Sequence, residues 1–230
     1  MRRSTFVVLA LFLLSPAAAL AQHRAGIAFA FSTPRGEFDR NTDTGYGLVG
    51  WHRYPLGRAL SIGANGAFQT YGSTDRRAPL SPTIPDIRVD VETTNSTAYL
   101  QGALELEAPV GAIRPYGHLA GGFGFFQTTT SLKDPDTDET IISATNQSDW
   151  NWMWGAGGGL RFRVHEVPRE QRAPMRIYLD LGATWQKGDE VEYLREGSLV
   201  TDEGVVDIDS QLVRSETELV LYRLGIHLEF

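Results

Sequence analysis

Ser61, Glu105 and His118 are the side-chain types of a nucleophile, a carboxylate and a general base, enough in kind for acyl-transfer hydrolysis. Residues of these types also arise easily on neighbouring strands, and a triad is defined by geometry rather than composition. Asp134, Asp136 and Asp138 are spaced like the start of a calcium loop. Glu139 stands where such a loop needs Gly, and Thr145 where it needs a bidentate Glu, so a solvated acidic loop is the simpler reading. A larger set consists of charged residues at alternate positions of otherwise apolar segments: Glu105, Glu107, His118, Arg161, Arg163, Arg176, Asp180, Arg223, His227 and Glu229. Charges placed this way share one face of a sheet, and if that face is enclosed they must pair. Cysteine is absent, which removes disulfides and thiolate sites, and no cofactor or metal site is predicted.

Strands must position these groups. From Val220 onward Val220, Tyr222, Leu224, Ile226, Leu228 and Phe230 alternate with Arg223, Gly225, His227 and Glu229, so Ser215 to Phe230 reads as a strand with one apolar face. The same period of two predicts strands over 24–32, 45–54, 60–71, 93–108, 114–130, 150–164 and 177–185. In the second of these both faces carry apolar residues (Tyr46 and Leu48; Val49 and Trp51), which leaves its outward side open. Short Pro/Gly turns at 55–58 and 109–112 alternate with longer polar stretches at 36–44, 72–92, 131–149 and 186–213. Residues 165–174 make a third, longer turn.

The amino terminus carries Arg2 and Arg3, an apolar run from Phe6 to Leu14, and Ala19-Leu20-Ala21. Residues 1–21 are a predicted signal peptide cut after Ala21, since the apolar run falls short of the roughly 20 residues a spanning helix needs. Removing Arg2 and Arg3 from the 21 basic residues leaves 19 against 28 acidic ones, a formal charge of −9. That excess of acid excludes a nucleic-acid partner.

The terminal Phe230, with Tyr222, Leu224, Ile226 and Leu228 before it, resembles the closing strand of bacterial outer-membrane β-barrels. In that family the barrel-assembly machinery reads such an ending as an assembly signal. Residues 22–230 as a whole resemble the OmpA/OmpX-type small barrels, in strand count and in the alternation of long loops with short turns. The resemblance implies an all-β, eight-stranded antiparallel up-and-down transmembrane barrel in the Gram-negative outer membrane, with both termini periplasmic. A lipocalin-like soluble barrel would instead keep its apolar residues inside, whereas here the polar face carries arginines and carboxylates. Trp150, Trp152 and Trp154 at the outer end of strand six, with Trp185 at similar height, are expected at the membrane interface.

In this topology the ten alternating charged residues lie in the periplasmic half, where an eight-stranded lumen is only wide enough for side chains. A salt-bridged plug is the expected arrangement, and a gated proton or solute path the alternative. The five histidines, His23, His52, His118, His165 and His227, fall at or near the same end. The palmitoyltransferase and lipid A deacylase barrels work at the opposite, outer leaflet, so no enzyme is expected. The expected partners are outer-membrane lipid and lipopolysaccharide, with assembly machinery and periplasmic chaperones during biogenesis, and the barrel is expected to be monomeric. Its expected role is structural or surface-interactive through the loops, with a narrow solute channel as second reading and a lipid-modifying hydrolase as third. No peptidoglycan-binding module is expected after Phe230.

Overall fold

A computed structural model describes residues 23–40, 42–81, 84–134, 140–167, 175–194 and 212–230. The signal peptide expected over 1–21 lies outside the described residues. So do 135–139, which hold most of the calcium-like spacing, and most of the third turn and of the acidic loop. The chain forms β1 (Arg24–Pro34), a 3-10 turn (Phe38–Arg40), β2 (Gly45–Pro55), β3 (Leu60–Ser81), β4 (Ile84–Glu107), β5 (Ile113–Lys133), β6 (Thr140–Glu166), β7 (Arg176–Leu194) and β8 (Leu212–Glu229). Each strand pairs antiparallel with its neighbours, and β1 pairs with β8, closing an eight-stranded barrel. Among the described residues no helix is long and apolar enough to cross a membrane.

The register fixes the barrel's size. A path from Trp150 across paired residues runs through Phe125, Ala98, Phe68, Leu48, Phe29, Leu224 and Leu181, and returns to β6 at Leu160. That point is ten residues along the same strand, a stagger that tilts the strands by roughly 35–45° and leaves an interior filled by side chains. Apolar residues face outward: Phe29, Leu48, Phe68, Leu119 and Leu224 are about half exposed. Arg53, Glu105, Arg161 and Asp180 are among the least exposed side chains in the molecule. Such a barrel is inside-out relative to a soluble one, as a lipid environment requires. The ambiguity of the second strand is resolved: Tyr46, Leu48 and Tyr54 face out, and Val49, Trp51 and Arg53 face in.

Several stretches expected as loops are strand. The β3–β4 hairpin stays paired out to Ser81 opposite Ile84, β5–β6 to Lys133 opposite Thr140, and β7–β8 to Leu194 opposite Leu212. A tilted strand needs only about 9–11 residues to cross a bilayer, so the 24 residues of β4 reach far beyond one face. Hydrophobic alternation exists to satisfy lipid on one side and the lumen on the other. Beyond the bilayer that demand ends while hydrogen bonding continues, so the sequence signal stops before the strand does. The β-branched residues there, Thr93 opposite Thr130 and Thr94 opposite Thr129, suit extended backbone. We predict that the backbone amides of Thr93 and Thr130 exchange slowly with deuterium in the refolded barrel. Exchange at the rate of free peptide would restore the loop reading.

Candidate functional site

The barrel has a turn end, which holds the short β2–β3 and β4–β5 connections and the described chain ends His23 and Phe230, and a hairpin end. Inward positions near the turn end carry most of the buried charge. On β6, Arg161 donates from Nε to Asp180 Oδ2 at 3.0 Å and from Nη1 to Glu105 Oε1 at 2.7 Å, and it also bonds Glu107. Arg53 on β2 reaches Glu105 Oε2 from Nε (3.1 Å), the carbonyls of His52 and Ala64 from Nη1, and Asn65 Oδ1 from Nη2 (2.6 Å). Arg223 on β8 donates to Asp180 Oδ1 at 3.1 Å and to the Tyr116 hydroxyl at 2.8 Å, and that hydroxyl in turn donates to Asp180.

Closer to the rim, Glu107 and Glu229 are bridged by Arg114 (3.0 and 2.7 Å) and by Arg24 (3.0 and 3.2 Å). The arginines also lie on aromatic faces. Arg161 sits 4.2 Å from the Tyr116 ring centroid, Arg223 4.7 Å from Trp51 and Arg114 4.9 Å from Tyr178. Five guanidiniums (Arg24, Arg53, Arg114, Arg161, Arg223) thus share four carboxylates (Glu105, Glu107, Asp180, Glu229). Glycines on facing strands make the room. A Cβ on Gly182 would come 2.4 Å from the Tyr116 hydroxyl, and one on Gly26 2.2 Å from the Trp51 ring.

Of the ten charges singled out in the sequence, the structure brings Glu105, Glu107, Arg161, Asp180, Arg223 and Glu229 into this network. His118 and His227 are buried inside but pair otherwise. His118 Nε2 contacts the Thr184 hydroxyl at 3.2 Å, and His227 Nδ1 accepts from Trp51 Nε1 at 3.0 Å. Arg163 and Arg176 do not join the buried network. They meet the exposed Glu166 at 2.8 Å each, and Arg176 reaches Glu229 only at 3.6 Å. Both stand at the mouth: Arg163 lies beyond Phe162, where the β5–β6 register ends, with a register shift just after it on the β7 side, and Arg176 opens β7. The hydrogen bond from Arg176 holds the exposed Glu166 carboxyl below the usual carboxylate range.

Arg24, Arg53, Arg114, Tyr116, Tyr178 and Trp51 were not among those ten. Arg114 shares the parity of His118, so its position was legible in the sequence. Arg53 was hidden by the second strand's two apolar faces.

Two chemistries suggested by residue type meet this geometry. Ser61 pairs opposite Glu105, and Glu105 opposite His118, on three successive strands. A hydrolytic triad needs the imidazole between the hydroxyl and the carboxylate, whereas here the carboxylate is in the middle and is held by Arg53 and Arg161. Glu107, His227 and Glu229 place ligand atoms within 4.8 Å of one another. Their carboxylates already carry Arg24, Arg114 and Arg161. A neutral His227 that accepts at Nδ1 must also keep its proton on Nε2, which leaves that nitrogen no lone pair for a metal. The cluster fits an ion-pair network, not a metal.

The hairpin half of the lumen mixes apolar side chains with neutral polar ones such as Gln69, Thr97, Asn151 and Thr217. Phe38, 2 % exposed, packs edge-on to Tyr71 (centroids 5.9 Å) and Phe126 (6.2 Å), within a cluster that includes Met153, Val191, Leu219 and Leu221. The Arg35 amide donates to the Glu218 carbonyl at 2.8 Å, tying down the connection that carries Phe38. That stretch had read only as a polar loop.

On the outside, Tyr222, Leu224, Ile226 and Phe230 are exposed and Leu228 is half-buried, while the Phe230 amide donates to the His23 carbonyl at 3.0 Å. Trp150, Trp152 and Trp154 also face out, against Phe125, Phe123 and Trp185 respectively. They do not mark the strand's outer end, because β6 runs on to Thr140. Trp185, partly buried, donates to Glu218 at 2.9 Å.

A sequence profile of the outer membrane protein beta-barrel domain family matches residues 4–168. The chain belongs to this outer-membrane β-barrel family. It is an integral outer-membrane protein of the Gram-negative envelope. No curated protein matches it in sequence. Similar solved structures include Ail, the attachment invasion locus protein of Yersinia pestis, in complex with the heparin analogue sucrose octasulfate. The match has 12 % identity and a TM-score of 0.44, covering 91 % of this chain and 98 % of that one. Neisserial surface protein A matches at 10 % identity and TM-score 0.45, over 90 % and 97 %. The N-terminal barrel domain of Pseudomonas aeruginosa OprF matches at 12 % and 0.32, also over 90 % and 97 %.

Replacing Arg161 would strand Glu105, Glu107 and Asp180 without their shared cation. We expect Arg161→Ala to lower stability by about 3–5 kcal/mol, read from urea unfolding in lipid vesicles. Arg163→Ala, at the exposed rim, is expected to stay within about 0.5 kcal/mol of the parent. Equal losses in the two variants would refute the division into buried network and rim pairs.

Proposed function

We propose that the protein is a sealed envelope scaffold that works through its protruding hairpins, without enzymatic activity and as a monomer in lipid and lipopolysaccharide. The observation that carries this reading is the doubly filled lumen. At the turn end the guanidiniums and carboxylates bond one another across the bore, and at the hairpin end Phe38 is wedged between Tyr71 and Phe126. A solute would have to separate buried ion pairs, at a cost of several kcal/mol per ion left unpaired, and also displace the phenyl ring. Short turns and the described chain ends at one end support a periplasmic placement of that end, with the long hairpins outside the cell. The β3–β4, β5–β6 and β7–β8 hairpins then supply the contact surface. The apolar outward face of β8 ending at Phe230 is the segment offered to the assembly machinery.

A narrow channel is the reading to test against. Ion conductance of the refolded protein in a planar bilayer, after a heat-dependent gel shift has verified the closed barrel, separates the two. The scaffold predicts no steady single-channel steps from the parent protein or from Phe38→Ala, because the charged layer alone still blocks the bore. Steady steps from the parent that respond to Glu105→Gln or Arg161→Ala would replace the scaffold with the channel.

A further inference from the structure

We propose that His23 and His52 form a two-imidazole site for a divalent transition-metal ion of the copper, nickel or zinc type, on the outer surface of the barrel at its turn end. His52 alternates with Leu48 and Tyr54 on the outward side of β2, three residues before that strand ends at Pro55. His23 directly precedes β1, and its carbonyl is anchored by the Phe230 amide. The ladder between β1 and β2 sets Ala25 opposite His52, so the two rings meet on a diagonal. Nδ1 of His23 lies 3.1 Å from Nε2 of His52, with ring centroids 5.2 Å apart and planes inclined by 31°. Tyr54 flanks the pair, its ring centroid 5.6 Å from that of His23.

The spacing suits a shared cation. Metal–imidazole bonds of about 2.0–2.1 Å put two ligating nitrogens about 2.9 Å apart at a right angle and about 3.3 Å apart at a tetrahedral one. The observed 3.1 Å falls between. Without a metal this contact needs one ring to donate its N–H to the other, and a bound ion takes the place of that single proton. The metal-binding tautomers are free to form here, in contrast to His227, whose Nδ1 lone pair is committed to Trp51. Both rings are half-buried, so the barrel wall positions them and leaves one side open. The nearest cations by sequence, Arg24 and Arg53, turn to the opposite face, where Glu107 and Glu105 hold them. Two protein ligands leave coordination positions for water or for a ligand from outside, which makes this an exchangeable site rather than a closed structural one. Of the divalent ions, copper should bind most tightly.

Copper(II) titration of the untagged protein, purified from outer membranes into detergent, tests the site directly. One equivalent is expected to bind with an electron paramagnetic resonance spectrum showing two imidazole nitrogens. His23→Ala and His52→Ala should each weaken binding by about tenfold or more and remove the two-nitrogen pattern. His165→Ala, an exposed histidine elsewhere at the same end, should leave both unchanged. A heat-dependent gel shift shows that each variant has kept its barrel. No copper binding by the parent, a spectrum without two nitrogens, or unchanged affinity in both single variants would overturn the proposal.

Discussion

Inside a hydrocarbon layer no water is available to an N–H or C=O group, so every strand of this protein must be paired along both edges. β1 has β2 on one side and β8 on the other, and that last ladder converts a sheet with two exposed edges into a ring with none. The rest of the molecule depends on this closure. Returning to the same strand ten residues displaced sets the tilt and hence the bore, and a bore of this width must be filled by the chain's own side chains. Lipid outside and a narrow enclosed space inside then dictate which residue type stands at each alternate position.

The contents of that enclosed space divide by depth. Near the turn end the filling is ionic, and its stability comes from sharing. Glu105 serves Arg53 and Arg161, Asp180 serves Arg161 and Arg223, and Glu107 serves Arg24, Arg114 and Arg161. No single pair could offset the desolvation of its two ions, but each added bond satisfies a further donor or lone pair that has already lost its water. The flat faces of Tyr116, Trp51 and Tyr178 stack against the guanidiniums where carboxylates run out, a favourable placement for a desolvated cation. Glycines opposite those rings are the steric counterpart of the same arrangement. Toward the hairpin end apolar side chains share the space with neutral polar ones such as Gln69 and Thr217, and a ring from a connecting segment completes the filling.

Outside the bilayer the constraint relaxes. The hairpins keep their ladders without needing one greasy face. At the opposite rim the same relaxation lets Arg163 and Arg176 turn to solvent around Glu166. His23 and His52 meet on the outer wall near that rim, held by the ends of β1 and β2.

By itself the sequence determined the strands that cross the membrane, their order, the inside-out polarity and most of the ionic layer, because lipid imposes a period of two that composition cannot hide. Residues such as Leu224, Arg223, Asp180 and Arg161 could be assigned a side from parity alone. Tertiary structure decided what parity does not encode. Trp51 and Arg53 were assigned to the lumen only by the ladders on either side of β2. Arg163 was left at the exposed rim beyond the β5–β6 ladder, and the hairpins extended past the last alternating residue. Phe38 was folded into the barrel mouth from a segment with no periodicity, and Glu105 was set between Ser61 and His118 rather than beside them. Each of these depends on contacts between residues far apart in the chain, and the closure of the barrel is what brings them together.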